Sequence, residues 1–146
     1  MPEAGKLLVR PDTPGPYPAM LLLPALGAPS VDHLDAPAKH LMSVLAQGGI
    51  ASLRVDPPPA RGVADLLESY RAHADALAAE PDVSSVFLFG HSLGGVLAPL
   101  VARDMPLGGV AVYGAPSKRW CEALSEGARR QLALAGLPLE DVEREA

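Results

Sequence analysis

Apolar positions along the chain follow two alternating rhythms. Short unbroken runs occur at Ala19–Leu23 (AMLLL), Ser85–Phe89 (SVFLF) and Gly108–Tyr113 (GGVAVY). Runs without polar alternation suit strands buried on both faces. Lys6–Arg10 and Ile50–Val55 are two further β-like stretches. Between the later runs lie longer segments with helical spacing. Leu34, Ala38, Leu41, Met42 and Leu45 share one stripe within Asp32–Gln47, which Gly48-Gly49 terminates. Val63, Leu66, Leu67, Tyr70, Ala74 and Leu77 do the same in Gly62–Ala79, and Leu93, Val96, Leu97, Leu100 and Val101 in Ser92–Arg103. Trp120, Leu124, Ala128 and Leu132 mark a last helix within Pro116–Leu134.

The predicted order is β-β-α-β-α-β-α-β-α. Strands alternating with helices imply right-handed crossovers, hence an α/β fold whose mainly parallel sheet is flanked by helices. In such sheets ligands bind beyond the carboxyl ends of the strands. The loops after Leu23, Val55, Phe89 and Tyr113 are therefore where chemistry is expected. Prolines crowd Pro11–Pro18 and Pro57–Pro59, where they punctuate loops.

Composition narrows the function. The chain has 146 residues, 49% hydrophobic and 20% charged, with a net charge of -5, which suits one soluble globular protein and argues against a nucleic-acid partner. A single cysteine, Cys121, excludes an intramolecular disulfide and a cysteine-rich metal site. The longest apolar stretch, Ala19–Ala28, is interrupted by Pro24 and falls short of the roughly 20 residues that span a bilayer. No leader-like segment opens the chain, so a cytoplasmic location without membrane contact is expected.

One motif carries chemistry. The loop after the third buried strand reads Gly90-His91-Ser92-Leu93-Gly94-Gly95, a G-x-S-x-G placed between a strand and a helix. A sharp strand-to-helix turn holds the serine in a strained conformation and exposes its hydroxyl. Side chains two residues before and after would collide, so Gly90 and Gly94 are wanted there. Free N–H groups at the helix start point toward the same place. A bare G-x-S-x-G is a weak signal, and the flanking strand and helix are what strengthen it. The plainer alternative is a strand–helix turn in which Ser92 only caps its helix.

From Lys6 to Tyr113 the chain resembles the α/β-hydrolase superfamily, in which GHSLGG is a common nucleophile elbow. The resemblance implies that Ser92 is the catalytic nucleophile, with Gly90, His91, Gly94 and Gly95 shaping the elbow. It also implies an oxyanion hole built from the Leu93 N–H and a second donor in Pro24-Ala25-Leu26-Gly27, either Leu26 or Gly27. The His-Gly pair often found in that loop is missing here, and Leu26-Gly27 also reads as a simple turn. Asp56 with Arg61-Gly62 looks like a stretched form of the family's Asp-x-Arg-Gly loop, with a structural role. The substrate class implied is a small carboxylic ester or related acyl compound, with no cofactor and no metal.

The pattern then stops short. In this superfamily the acid and the histidine follow the serine in sequence. The histidines here are His33, His40, His73 and His91, all before Ser92. Five strands are legible, fewer than the family core, and the segment after Lys118 reads as the start of a helical cap. The expected organisation is a partial hydrolase core over 1–117 and a cap segment over 118–146. The expectation is an amino-terminal fragment, inactive alone, whose triad acid and histidine lie beyond residue 146. His33, near the oxyanion loop, is the one in-chain substitute base weighed. Trp120 either lines an acyl pocket or anchors its own helix. The alternatives are an acyltransferase or serine peptidase on the same fold, a non-catalytic binding protein, and a small protein pairing through its edge strand.

Overall fold

The computed structural model describes residues 5–57, 60 and 62–138, and the chain divides into two compact units, Met1–Ala115 and Pro116–Ala146. The first unit holds a five-stranded sheet. Its elements are β1 (Lys6–Val9), β2 (Tyr17–Leu23), a 3-10 turn (Val31–His33), α1 (Ala36–Gln47), β3 (Ala51–Val55), α2 (Val63–Ala78), β4 (Val83–His91), α3 (Leu93–Ala102) and β5 (Gly109–Tyr113). The spatial order is β1-β3-β2-β4-β5. β1 pairs antiparallel with β3, and the other neighbours are parallel. The second unit contains α4 (Trp120–Leu134), none of whose residues is buried.

This order has a consequence for position. After β2 the chain moves through α1 to β3 on one side. After β4 it moves through α3 to β5 on the other. Crossovers of one hand that travel in opposite directions place their helices on opposite faces. The packing agrees. Leu22 gathers Leu34, Ala38, Leu41 and Met42 from the α1 side, whereas Leu21, Leu23 and Leu88 join Tyr70, Ala74, Leu77, Leu97 and Val101 from α2 and α3. Each fully buried leucine contributes about 1.5–3 kcal/mol. The carboxyl ends of β2 and β4 thus flank the topological switch point, where an open α/β sheet has its crevice.

Several element boundaries differ from the sequence pattern. The helix expected from Asp32 begins at Ala36, because the Asp35 carboxylate accepts from the Ala38 N–H at 2.9 Å and Pro37 sits in the first turn. The strand expected over Ser85–Phe89 runs from Val83 to His91, since β2 and β5 together pair with all of it except Ser84, where the register shifts. The helix expected from Ser92 begins at Leu93, with Ser92 outside it. Pro99 lies within α3, near whose end Arg71 of α2 donates to the Leu100 and Val101 carbonyls at 2.7 and 3.3 Å.

At the opposite end of the sheet a polar cluster ties the strand starts together. The Tyr17 hydroxyl donates to Asp82 Oδ2, Arg10 Nε donates to the same oxygen at 3.0 Å, and Arg10 Nη2 reaches Glu80 at 2.7 Å. The hydrogen bond from Tyr17, with Arg10 beside it, holds the Asp82 carboxyl below the usual carboxylate range. A depressed carboxylate pKa adds stability above its unfolded value, and that stability is lost as pH falls through the folded one. Chemical denaturation should therefore show the chain losing stability more steeply from about pH 5 to pH 3 than its Asp82→Asn variant. Equal slopes would remove Asp82 from the acid response.

Candidate active site

The sharp turn after β4 is built from backbone constraints. Ser92 has φ 54° and ψ -115°, a region that non-glycine residues occupy at an expense of order 1–3 kcal/mol. Three contacts enforce it. The Ser92 N–H donates to the Tyr113 carbonyl at 3.0 Å, which ties the turn to the end of β5. The Gly94 N–H donates to the Pro24 carbonyl at 3.1 Å, which ties it to the loop after β2. Leu23 pairs with Gly90 in the sheet, so β2 ends beside the turn.

The glycines are sterically required. A Cβ on Gly90 would overlap the Gly94 carbonyl, and one on Gly94 would overlap the Leu23 carbonyl. One on Gly95 would come within 2.7 Å of the Ala115 Cβ. Strand, serine and helix therefore approach more closely than side chains permit.

The helix start leaves one donor over. The first N–H groups of any helix lack partners within it. Here Gly94 donates to Pro24, and Gly95 and Val96 donate to the Ser92 carbonyl at 2.9 and 3.3 Å. Among the described residues, the Leu93 N–H has no such acceptor. No side chain among them is hydrogen-bonded to the Ser92 hydroxyl. A free hydroxyl and a free amide thus stand on adjacent residues at the positive end of α3.

Across the switch point lies Pro24–Gly27. The Ala28 N–H donates to the Ala25 carbonyl at 3.2 Å and Gly27 has φ +71°, the signature of a type II turn with Leu26 and Gly27 at its corners. Leu26 is 73% exposed, so its side chain contributes little to the core. Below this turn, a cavity of about 320 Å³ opens between Pro24, Ala25, Leu41, Phe89, His91 and Tyr113.

The histidines are dispersed. His91 stacks on Tyr113 at 5.6 Å between ring centroids, and His73 Nδ1 lies 2.8 Å from the Ser69 carbonyl on α2. His40 is exposed on α1, and His33 is exposed on the 3-10 turn with no hydrogen bond to its ring among the described residues. Asp104, a carboxylate after Ser92, follows α3 toward the opposite end of the sheet. Cys121 is exposed and Trp120 opens α4. Among the described residues no group of three or more His, Cys, Asp or Glu is arranged for a metal ion, and no helix is long and apolar enough to cross a membrane.

Asp56 has a specific tethering role, accepting from the Val31 N–H at 2.9 Å and thereby fixing the chain that leads away from Pro24–Gly27. Arg61 lies outside the described residues. One residue escaped the sequence reading altogether. Arg54, the penultimate residue of β3, is 4% exposed, donates to the Val55 carbonyl and to the Pro29 carbonyl (3.2 Å), and lies 3.8 Å from Asp56. Burial pulls its guanidinium below the ordinary value, opposed by Tyr70, Asp56 and Asp35. A charge inside a strand that is otherwise buried was the available signal.

No protein-family model matches the chain. A curated relative, the esterase EstD of Thermotoga maritima, is 30% identical over 145 residues, covering 91% of this chain and 35% of that protein. The fold is shared with a highly thermostable carboxyl esterase from Bacillus coagulans (15% identity, 90% of this chain and 46% of that one, TM-score 0.66). It is shared also with an α/β serine hydrolase without lid from Xanthomonas campestris (17%, 79% and 57%, TM-score 0.65). The chain spans about a third of the curated relative and about half of these two structures.

The steric reading of the turn makes a graded prediction. Gly94→Ala should lower unfolding stability by about 3 kcal/mol or more, since backbone must move. Gly27→Ala meets nothing within 4 Å and should lose only about 1 kcal/mol, from its positive φ. Urea denaturation of both variants would rank them, and equal losses would contradict the crowding.

Proposed function

We propose that the chain is a member of the α/β-hydrolase superfamily and carries the nucleophile half of a serine hydrolase acting on carboxylic esters or related acyl substrates. The hydrolase and esterase relatives support the class of reaction. The observation that carries the assignment to a residue is the pairing of strained Ser92 with the unpartnered Leu93 N–H. A helix cap alone needs no positive φ, and the Ser92 side chain makes no cap hydrogen bond.

In this reading the Ser92 Oγ attacks the ester carbonyl, its proton passing to a histidine base. The carbonyl oxygen becomes an oxyanion, held by the Leu93 N–H and by the N–H of Leu26 or Gly27. Collapse expels the alcohol, which takes the proton back from the histidine, and leaves an acyl-enzyme that water then hydrolyses. In this superfamily the acid and the histidine follow the serine, and all four histidines here precede Ser92, so we assign the base and its acid to chain other than these 146 residues. Residues 1–146 alone should then be inactive.

The test uses the product of the whole reading frame that encodes these residues. It should hydrolyse p-nitrophenyl acetate and gain one phosphonyl group by intact mass on treatment with a fluorophosphonate. Ser92→Ala should abolish the mass gain and lower kcat roughly 10⁴-fold or more while leaving circular dichroism unchanged. Phosphonylation that survives Ser92→Ala would move the nucleophile elsewhere, and no phosphonylation of the folded protein would favour a non-catalytic binding role.

A further inference from the structure

The loop that carries Leu26 and Gly27 is held at both ends, and the two holds come from different elements. At its start, Pro24 accepts from the Gly94 N–H at 3.1 Å. At its end, Pro29 accepts from Arg54 Nη2 at 3.2 Å, and the Val31 N–H donates to Asp56 Oδ1 at 2.9 Å. Between these anchors the Ala25–Ala28 turn closes on itself. β3 is placed for this task. It runs parallel to β2 with Leu22 beside Arg54, so its last residues emerge next to the base of the loop. Asp56 is itself fixed, its N–H donating to the Gly5 carbonyl at 2.6 Å.

Arg54 is an uneconomical residue for a strand interior. Taking a guanidinium out of water costs several kcal/mol unless its donors and charge are matched. A leucine there would pack without that demand. The retained groups are a forked donor that spans two carbonyls and an acid 3.8 Å away, with Asp35 contributing at longer range. Both partners of the pair reach toward the same segment, Pro29–Val31.

We propose that Arg54 and Asp56 are positioning residues that clamp the Pro24–Val31 loop and so fix the Leu26 and Gly27 amides relative to Ser92. The clamp rests on the serine-hydrolase reading for its purpose, though not for its existence. An oxyanion hole works only if its donors are already aimed when charge develops. Two donors on separate elements, one at the start of α3 and one on a loop, need a common frame. Gly94 supplies the frame from the helix side, and the Arg54–Asp56 pair supplies it from β3. A lysine would keep the charge but, as a point donor, would not span both carbonyls.

The test is ¹⁵N backbone relaxation, without substrate, of the product of the whole reading frame that encodes these residues. Order parameters at Leu26 and Gly27 should be near the rigid value of about 0.85 and fall below about 0.6 in Arg54→Lys and in Asp56→Ala. β4 amides should stay rigid in both. Asp56→Asn retains an acceptor for Val31 and should loosen the loop less than Asp56→Ala. Arg71→Ala, which removes the donor to Leu100 and Val101, should lower global stability yet leave Leu26 and Gly27 rigid. If Asp56→Ala does not fold, Arg54→Lys decides. Unchanged loop order parameters in the folded Arg54→Lys chain would overturn the clamp, and so would equal loosening by Arg71→Ala. These amides are read whether or not Ser92 reacts with a fluorophosphonate, so the two readings fail separately.

Discussion

The pairing of β2 with β4 is the constraint on which the rest depends. These strands lie side by side in parallel, with Leu21 beside Leu88 and Leu23 beside Gly90. Because the chain leaves them in opposite directions, a crevice opens at their carboxyl ends. The same pairing supplies the strain. With Leu23 fixed beside Gly90, α3 can start only by passing its glycines against the end of β2, where the Leu23 carbonyl leaves no room for a Cβ on Gly94. Ser92 accepts a positive φ because the surrounding backbone permits no other path.

Around that pair the polar groups divide by location. At the amino ends of the strands, Arg10, Tyr17, Glu80 and Asp82 form a charged cluster that serves stability. At the carboxyl ends, Arg54 and Asp56 grip loop backbone. Between them Ser52 is buried in β3, and its Oγ has no hydrogen-bond partner among the described residues.

Much of this was legible in the sequence. Continuous apolar runs marked β2, β4 and β5, helical stripes marked all four α-helices, and Gly90, Ser92 and Gly94 announced a crowded turn. The boundaries were less visible because they depend on partners. Nothing in the local pattern shows that Asp35 will cap α1, or that β4 continues through His91 because Tyr113 lies beside it. Arg54 was missed for a similar reason. Its carbonyl partners belong to Pro29 and Val55, and backbone acceptors leave no mark in the side-chain sequence. Which of Leu26 and Gly27 would donate in the proposed oxyanion hole is likewise a matter of peptide orientation that residue types do not encode.

The separation of the paired strands along the chain has a kinetic consequence. β2 and β4 meet across everything that lies between them, namely α1, β3 and α2. Contacts so distant in sequence form late, because the loop entropy must be overcome before pairing is rewarded. During synthesis β2 therefore waits, with the backbone N–H and C=O groups of one edge unpaired, until the ribosome has released Val83–His91. The turn at Ser92 comes into being in that same closing step, so a nascent chain acquires its strained serine only when its central sheet is committed.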